Sequence, residues 1–555
     1  MVRATFSGFN TALSALQANQ KRLDITGQNL SNMNTAGYTR QQLEASSLNY
    51  TNPVSHYSNG NETAVGFGVS MDRVSQIRDP YLDIQYRSQS ADCSYTNRLQ
   101  TALNSLSKVL DETTISGIRK AFDDVQSTLT SMQDPAKVSD PIYESELRTK
   151  MQSVCNLFNQ ASRQITQAEQ NEFQRLTGEG SSEQGDVQKI NDILRQIGDL
   201  NVQIKRNQVA GHPSLELQDE RNLLLDELSG YIPVETRYYK DDAHSGNNAY
   251  DYDANGAVIG KKDWPDDLEV SMNYIDAQGK SQKLILVNGS DLGADGLTKN
   301  YGQLSVLNRD HQPAASVSDP ANISIKFEKA PSYQGNGQAA TDVYAELKGI
   351  HFEGGSLQAS LDMLQKKGTG NVINGSVDDV RGYQYYSEKL DQLADTFAKS
   401  MNASNNGNNH KDQNLLSNST DDSTNGITAG NIGISKGWTS GTIHISTDGT
   451  NRTDTILDMI AAMKDTKKLN GKTFADYMNN LSTQLASDSS SNQTALKTGT
   501  TVLNSIQDSR DSLSGVSLDE EATNMMAYVS AYNAASRLMT ALDEVLNTLI
   551  SNTGA

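Results

Sequence analysis

The sequence predicts a mainly α-helical protein with an inserted β-rich region: terminal helices paired as a coiled coil, a helical bundle domain and an outer β domain. Three observations predict it. Apolar residues recur at three- and four-residue steps at both ends, through Val2, Phe6, Phe9, Leu13, Leu16, Leu23 and Leu30, and through Leu518, Ala522, Met525, Val529, Tyr532, Met539, Leu542, Leu546 and Leu549. Stripes of the same rhythm fill residues 80–230 and 454–514. Between 231 and 350 the rhythm changes to alternation, with Asn, Asp and Gly clustered between the runs.

The N-terminal half of the terminal pair is expected at 1–45. Its helix stops near Asn34, Thr35 and Gly37, which are turn formers, and Gly37 supplies the positive φ of a C-terminal cap. At the other end (515–555), Ser517 and Glu520 form a capping box, and Asp519, Glu520 and Glu521 place negative charge on the first turn, where the helix dipole favours it. Residues 1–45 carry four cations against two carboxylates, and 515–555 one against five, so the net charges are +2 and −4. Exposed ion pairs contribute roughly 0–1 kcal/mol each, so charge biases a pairing that apolar burial drives.

Residues 46–79 read as an extended linker, with Pro53, Gly60, Gly66 and Gly68 and weak alternation around Val65, Phe67 and Val69. Pro80 opens the first part of the bundle (80–230). Tyr95 to Leu110 and Ile118 to Met132 carry stripes, Pro135 and Pro141 break the pattern, and a long helix carries Leu147, Met151, Val154, Phe158 and Ile165. Gly178 to Gly185 form a turn, and helices follow through Val187 to Ile204 and Leu217 to Leu228. In the β-rich insert (231–350) the strands are Leu268 to Tyr274, Lys283 to Val287 and Ile323 to Phe327. A helical return (351–402) has Tyr386, Leu390, Leu393 and Phe397 in step. Residues 403–453, rich in Asn, Ser, Asp and Gly, read as a flexible loop with a short β element at Gly441 to Ser446. The bundle closes over 454–514 through Ile456, Met459, Phe474, Met478, Leu481 and Leu485.

At 555 residues the chain has room for three or four domains, and an aromatic share of 6% suits long helices with polar outer faces better than one large core. A net charge of −20 with no basic stripe excludes nucleic acid as partner, and the absence of any run of about 18 apolar residues excludes a membrane span. The start lacks the roughly 7–15-residue apolar core of a signal peptide. Cys93 and Cys155 read as free thiols, and composition alone points to the cytosol.

No catalytic, cofactor or metal constellation emerges. The seven histidines lie in separate segments, and His351 in "HFEGG" lacks the second histidine of a zinc-protease motif and reads as loop. "DYDANG" (Asp251 to Gly256) matches half of a calcium loop, but Lys262 stands where a bidentate Glu should close the sphere. A hairpin turn on Asn255-Gly256, flanked by Tyr252 and Val258, fits better. Gly66-Phe67-Gly68 lacks the third glycine of a phosphate cradle.

"QNLSNMNTAGYTRQ" (Gln28 to Gln41) resembles the N-terminal motif of the bacterial flagellar axial proteins, an Asn-rich helix end running into Thr-x-Gly-Tyr-x-Arg. Ser514 to Ile550 resembles their C-terminal motif. Ser514-Gly515-Val516 before Leu518-Asp519-Glu520-Glu521 is more similar to the hook-filament junction members than to hook or rod proteins, and Pro213 to Glu235 resembles the junction members' helical domain. The resemblance implies a structural adaptor, not an enzyme, that polymerises at the hook tip and joins hook to filament. Its implied partners are other copies of the chain, the hook protein, a second junction protein and a cytosolic export chaperone. It also implies secretion to the flagellum through the flagellar type III apparatus, which replaces the cytosolic address. Expected assembly residues are Phe6, Phe9, Leu13, Leu16, Leu23, Asn29, Leu30, Asn32, Thr35, Gly37 and Tyr38. Leu518, Met525, Met526, Val529, Tyr532, Met539, Leu542, Leu546 and Leu549 are expected to serve assembly and the chaperone, because an exposed stripe aggregates unless covered. Alternatives are a hook or rod protein, or a secreted coiled-coil adhesin or effector.

Overall fold

The computed structural model describes residues 2–48, 68–110, 117–138, 140–178, 182–240, 250–252, 258–261, 266–275, 280–289, 300–307, 323–328, 344–347, 351–373, 376–407, 412–447 and 452–553. The chain starts with α1 (Val2–Ser31), then β1 (Gln41–Ser47) and β2 (Val69–Gln76), which pair antiparallel as a two-stranded ribbon. Part of the expected linker is therefore this ribbon. Val65, Phe67 and the Gly66-Phe67-Gly68 motif's first two residues lie outside the described residues.

Among the described residues six helices lie between the ribbon and the first strand of the insert: α2 (Pro80–Leu110), α3 (Ile118–Ser131), the one-turn α4 (Pro135–Val138), α5 (Pro141–Thr177), α6 (Asp186–Val209) and α7 (Leu215–Tyr231). The ends of α5 follow from local chemistry. Asp140 accepts the Ile142 N–H at 2.9 Å, Pro141 sits in the first turn, and Gly178 closes the helix at φ 75°.

The strands of the insert are β3 (Glu235–Lys240), β4 (Tyr250–Tyr252), β5 (Val258–Lys261), β6 (Asp266–Ile275), β7 (Ser281–Asn288), β8 (Gln303–Leu307), β9 (Ser324–Glu328), β10 (Tyr344–Leu347) and β11 (His351–Phe352). β6 pairs with β3 and β11 along one edge and with β7 along the other, and β8–β9–β10 form a second antiparallel sheet. Leu268, Val270 and Met272 alternate into the core, as a half-buried strand requires. Asparagines pin both sheets to α6. Asn191 donates to the Leu304 carbonyl at 2.8 Å and accepts its N–H at 2.7 Å, and Asn201 donates to the Leu268 and Gly289 carbonyls. Tyr252 pairs with Val258 across the expected hairpin, whose turn (253–257) and Lys262 lie outside the described residues. His351 is strand rather than loop, paired with Ile275.

The chain returns through α8 (Ser356–Gln365), the short pair β12 (Val372–Ile373) and β13 (Ser376–Val377), and α9 (Tyr383–Asn406). Residues 412–447 are not the loose loop that their composition suggested. β14 (Leu416–Asn418) pairs with β15 (Ile432–Ile434), and α10 (Lys436–Ser440) follows; the segment expected as β, Gly441 to Ser446, forms no strand. Buried amides hold this region: Asn402 accepts the N–H groups of Leu415 and Leu416 at 2.9 Å and donates to the Leu416 carbonyl, while Asn405 donates to the Gln413 and His444 carbonyls. Polar composition there serves hydrogen bonding within the chain, not solvation.

α11 (Asp454–Lys464) and α12 (Phe474–Ser514) complete the body, and α13 (Leu518–Thr553) follows α12. α12 runs antiparallel along α2, with Gln100 donating to Ser489 and Asn492 donating to the Thr96 carbonyl, both at 2.8 Å. Phe122, Phe158, Phe397 and Phe474 meet edge-on or tilted at centroid distances of 5.1–5.9 Å. That cluster joins α3 and α5, made before the insert, to α9 and α12, made after it, so the helical body closes only when both halves are present.

Candidate assembly surface of the terminal helices

α1 and α13 lie side by side and antiparallel. A Cβ on Gly8 would sit 3.4 Å from the Leu542 methyls, and the Arg22 guanidinium lies 5.6 Å from the Tyr528 ring centroid. At the near end Arg40 bonds Glu521 at 2.8 Å and Glu520 at 2.7 Å, so the charge complementarity of the two ends becomes contact. The Ser517 hydroxyl stands 3.5 Å from the Glu520 N–H, where the capping box placed it.

The face of α1 turned to α13 is small and polar rather than leucine-rich. Gly8, Ala12, Ala15, Asn19, Arg22, Thr26 and Asn29 step by four and three, and Ala12, Asn19, Thr26 and Asn29 are buried. Glu521, Met525, Tyr528, Tyr532, Ala535, Met539, Leu542 and Leu546 keep the same rhythm on α13, with Ala535 and Glu521 buried and the rest half-buried. Small residues let the backbones approach; leucines at those positions would hold them apart.

The expected stripe of α1 is offset from this face by one residue, about 100° around the helix. Phe9, Leu16, Leu23 and Leu30 are accordingly half-buried on its flank, Leu13 is 47% exposed, and the Phe6 side chain lies outside the described residues. On α13, Met525, Tyr532, Met539, Leu542 and Leu546 do face α1. Leu518, Met526, Val529 and Leu549 are exposed, Met526 by 66%. The signal for the true inner face was present as a heptad of Gly, Ala, Asn and Thr. A search for apolar periodicity passes over it.

The turn after α1 is closed by Asn29, which is 1% exposed. Its amide donates to the Gln41 carbonyl at 2.9 Å, and its oxygen accepts the Gln41 N–H at 3.0 Å and the Tyr38 hydroxyl at 2.9 Å. This side chain, expected to reach a neighbouring chain, is taken up within its own. Asn32 donates to the Gln28 carbonyl and accepts from Thr35, while Thr35 and Gly37 face solvent with Gly37 at φ 77°. Burial pushes the Tyr38 phenol above its usual range, with Glu216 adding to the shift. The ribbon covers another flank of α1: Ser14 accepts the Val69 N–H at 3.2 Å, and any Cβ on Gly68 (φ 111°) would strike the Ser14 hydroxyl.

Asn29→Ala strands one acceptor and two donors, at a cost of about 1–3 kcal/mol per buried group. Amide exchange at Gln41 should rise at least about tenfold while the Phe122 cluster stays protected; unchanged exchange at Gln41 would refute the clamp.

Among the described residues no group of three or more His, Cys, Asp and Glu could hold a metal ion, and no helix is long and apolar enough to cross a membrane. Cys93 is half-buried with its sulfur 3.4 Å from the Thr500 hydroxyl, and Cys155 is buried, its thiol pushed up to about 12; both are free.

The antiparallel pair of chain ends, the turn clamped by asparagine and the helical body split by a β insert fall in the regions that match families of the bacterial flagellum, so the chain is of the flagellar class. Residues 9–39 match the flagella basal body rod protein family, and 509–552 match the flagellar basal body rod FlgEFG protein C-terminal family. Residues 103–416, more than half of the chain, match the helical domain of the flagellar hook-associated protein FlgK, and the chain belongs to that family. It is 29% identical over 568 residues to flagellar hook-associated protein 1 of Bacillus subtilis, covering 99% of each chain. It is 28% identical to flagellar hook-associated protein 1 of Salmonella typhimurium, over 41% of this chain and 38% of that one, and 28% identical to the Escherichia coli protein of the same name, over 41% and 39%. The flagellar hook junction protein FlgK of Burkholderia pseudomallei aligns structurally with a TM-score of 0.36 at 19% identity, over 61% of this chain and 45% of that one.

Proposed function

We propose that this chain is the structural adaptor of the flagellum that polymerises at the hook tip and joins the hook to the flagellin filament. The observation that carries the reading is likeness along the whole length to a hook-associated protein 1, ends and centre together. The helical region matched over 103–416 favours a junction protein over a hook or rod protein, since the end motifs are common to all three. The terminal pair acts as a coiled coil in the assembly, its exposed flank of Leu13, Met526 and Val529 buried against other copies, and the β insert faces outward. The hook protein lies below, a second junction protein above.

Export through the flagellar type III apparatus requires an unfolded chain, which two free thiols permit. Before export a cytosolic chaperone covers the stripe of Leu518, Met525, Met526, Val529 and Tyr532. Deleting residues 515–555 should abolish chaperone capture; capture by the truncated chain would remove that assignment. For the adaptor role, a strain lacking the protein should make hooks that carry no filament and shed flagellin into the medium. Filaments of normal length and number in that strain would overturn the reading.

A further inference from the structure

The chain holds eight Asn-Gly pairs, and four of them, beginning at Asn288, Asn406, Asn425 and Asn470, lie within the described residues. Glycine after asparagine leaves its main-chain nitrogen open to the asparagine side chain, because no Cβ shields it. That nitrogen can attack the asparagine Cγ only if its N–H is not held elsewhere and the side chain is free to swing onto it.

Three of the four pairs are held. Asn288 is buried, and Gly289 donates its N–H to the Leu268 carbonyl at 3.1 Å. At the end of α9, Gly407 donates to the Ala403 carbonyl at 3.1 Å, while the Asn406 side chain donates to Asn414 at 3.0 Å and accepts the Gln413 N–H at 2.8 Å. Asn470 is exposed, but Gly471 donates to the Thr466 carbonyl at 2.8 Å.

Asn425 differs from all three. It and Gly426 are exposed in the connection from β14 to β15, and among the described residues neither the Asn425 side chain nor the Gly426 N–H makes a hydrogen bond. The groups on either side are fixed instead. The Asn425 carbonyl accepts the Ser423 hydroxyl at 2.9 Å, and the Gly426 carbonyl accepts the Asn431 amide at 3.0 Å.

We propose that Asn425 is a modification site, at which the folded protein converts an amide to an acid with water as the only co-reactant. The Gly426 nitrogen bonds to the Asn425 Cγ, the Cγ–Nδ2 bond breaks, and ammonia leaves with the Gly426 proton, closing a cyclic imide. Water then opens the ring at either carbonyl, giving aspartate at 425 or its isomer with the main chain routed through Cβ. Both products add negative charge to a turn that already carries Asp421 and Asp422. In the isomer the carbonyl that receives Ser423 becomes a free carboxylate, and the main chain is one carbon longer before Gly426. The Gly426 carbonyl then leaves Asn431, whose side chain also accepts the Thr428 N–H, so loosening reaches 428–432. The conversion rests on this turn alone and not on the role at the hook tip.

Incubating the folded full-length protein at pH 8 and mapping its peptides by mass should show a gain of about 1 Da at 425, where NH2 becomes OH. The other three pairs must first open locally, so their conversion should lag by about tenfold or more. In urea all four should convert at similar rates, because the fold and not the dipeptide selects the site. Gly426 stands at φ 67°, where another residue is strained, so the variant is made at 425. Asn425→Gln, whose side chain would have to close a larger ring, should keep the fold and lose the gain. Hydrogen exchange at 428–432 should rise in the parent as conversion proceeds and stay constant in the glutamine variant. Conversion at 288, 406 or 470 that equals or precedes conversion at 425 in the folded protein overturns the proposal. So does a folded chain that stays intact at 425 over the time in which the urea-unfolded chain converts there.

Discussion

Ala12→Glu is expected to separate α1 from α13 and to leave cells with bare hooks. Ala12 is 1% exposed, one turn beyond Gly8 on the face that meets α13 near Leu542. A carboxylate there has no cation within its own helix turn, and the one cation of α13, Arg537, is exposed to solvent rather than turned into the pair. Burying an uncompensated charge costs several kcal/mol, more than the half-buried contacts of a two-helix pair return. The pair should therefore open. Hydrogen exchange should rise along both helices while the Phe122 cluster keeps its protection, and complementation of a strain lacking the protein should yield few or no filaments. Leu13→Glu provides the contrast, because Leu13 is 47% exposed and its substitution leaves the pair closed. If Leu13→Glu blocks filament growth with the pair intact, the flank is the contact between copies. Protection unchanged in Ala12→Glu would sink the assignment of the inner face.

The difference between those two variants shows what sequence periodicity conveys and what it misses. Leucines and methionines recur on the terminal helices because both a partner helix and neighbouring copies want apolar surface, and a stripe alone does not say which of the two a given residue meets. The inner face of α1 is written in Gly, Ala, Asn and Thr, residues chosen for closeness and hydrogen bonding. Asn29 looked like a group offered outward, yet three bonds to Tyr38 and Gln41 hold it inward. The helices of the body were legible because each buries one stripe in a shared core. Residues 412–447 were not, since Asn402 and Asn405 organise that segment through backbone bonds that leave no hydropathy pattern.

Arg98→Met should be among the most damaging single changes to the helical body. Arg98 on α2 bonds Glu172 of α5 and the Ser360 hydroxyl of α8, each at 2.9 Å, and pairs with Asp186 at the start of α6. Ser360 in turn donates to Glu172 at 2.6 Å, so one guanidinium joins four helices, one of which is made after the β insert. Both carboxylates are buried, and burial already raises the Asp186 pKa against the lowering effect of Arg98. Without the cation the two acids face each other, with Arg175 only 3.8 Å from Glu172 as a partial substitute. Removing one partner of a buried pair costs about 3–5 kcal/mol, which is a large part of a typical domain's stability. The urea midpoint should fall accordingly at pH 8. Since losing Arg98 removes the cation that holds the Asp186 pKa down, that pKa rises further in the folded state, protonation relieves the defect, and the deficit should shrink from pH 8 to pH 5. Arg98→Lys keeps the charge but loses the fork that serves both acids, and should fall between. A methionine variant within about 1 kcal/mol of the parent at pH 8, or a deficit that grows on acidification, would mean that apolar packing alone holds the four helices together and that this buried network is incidental to them.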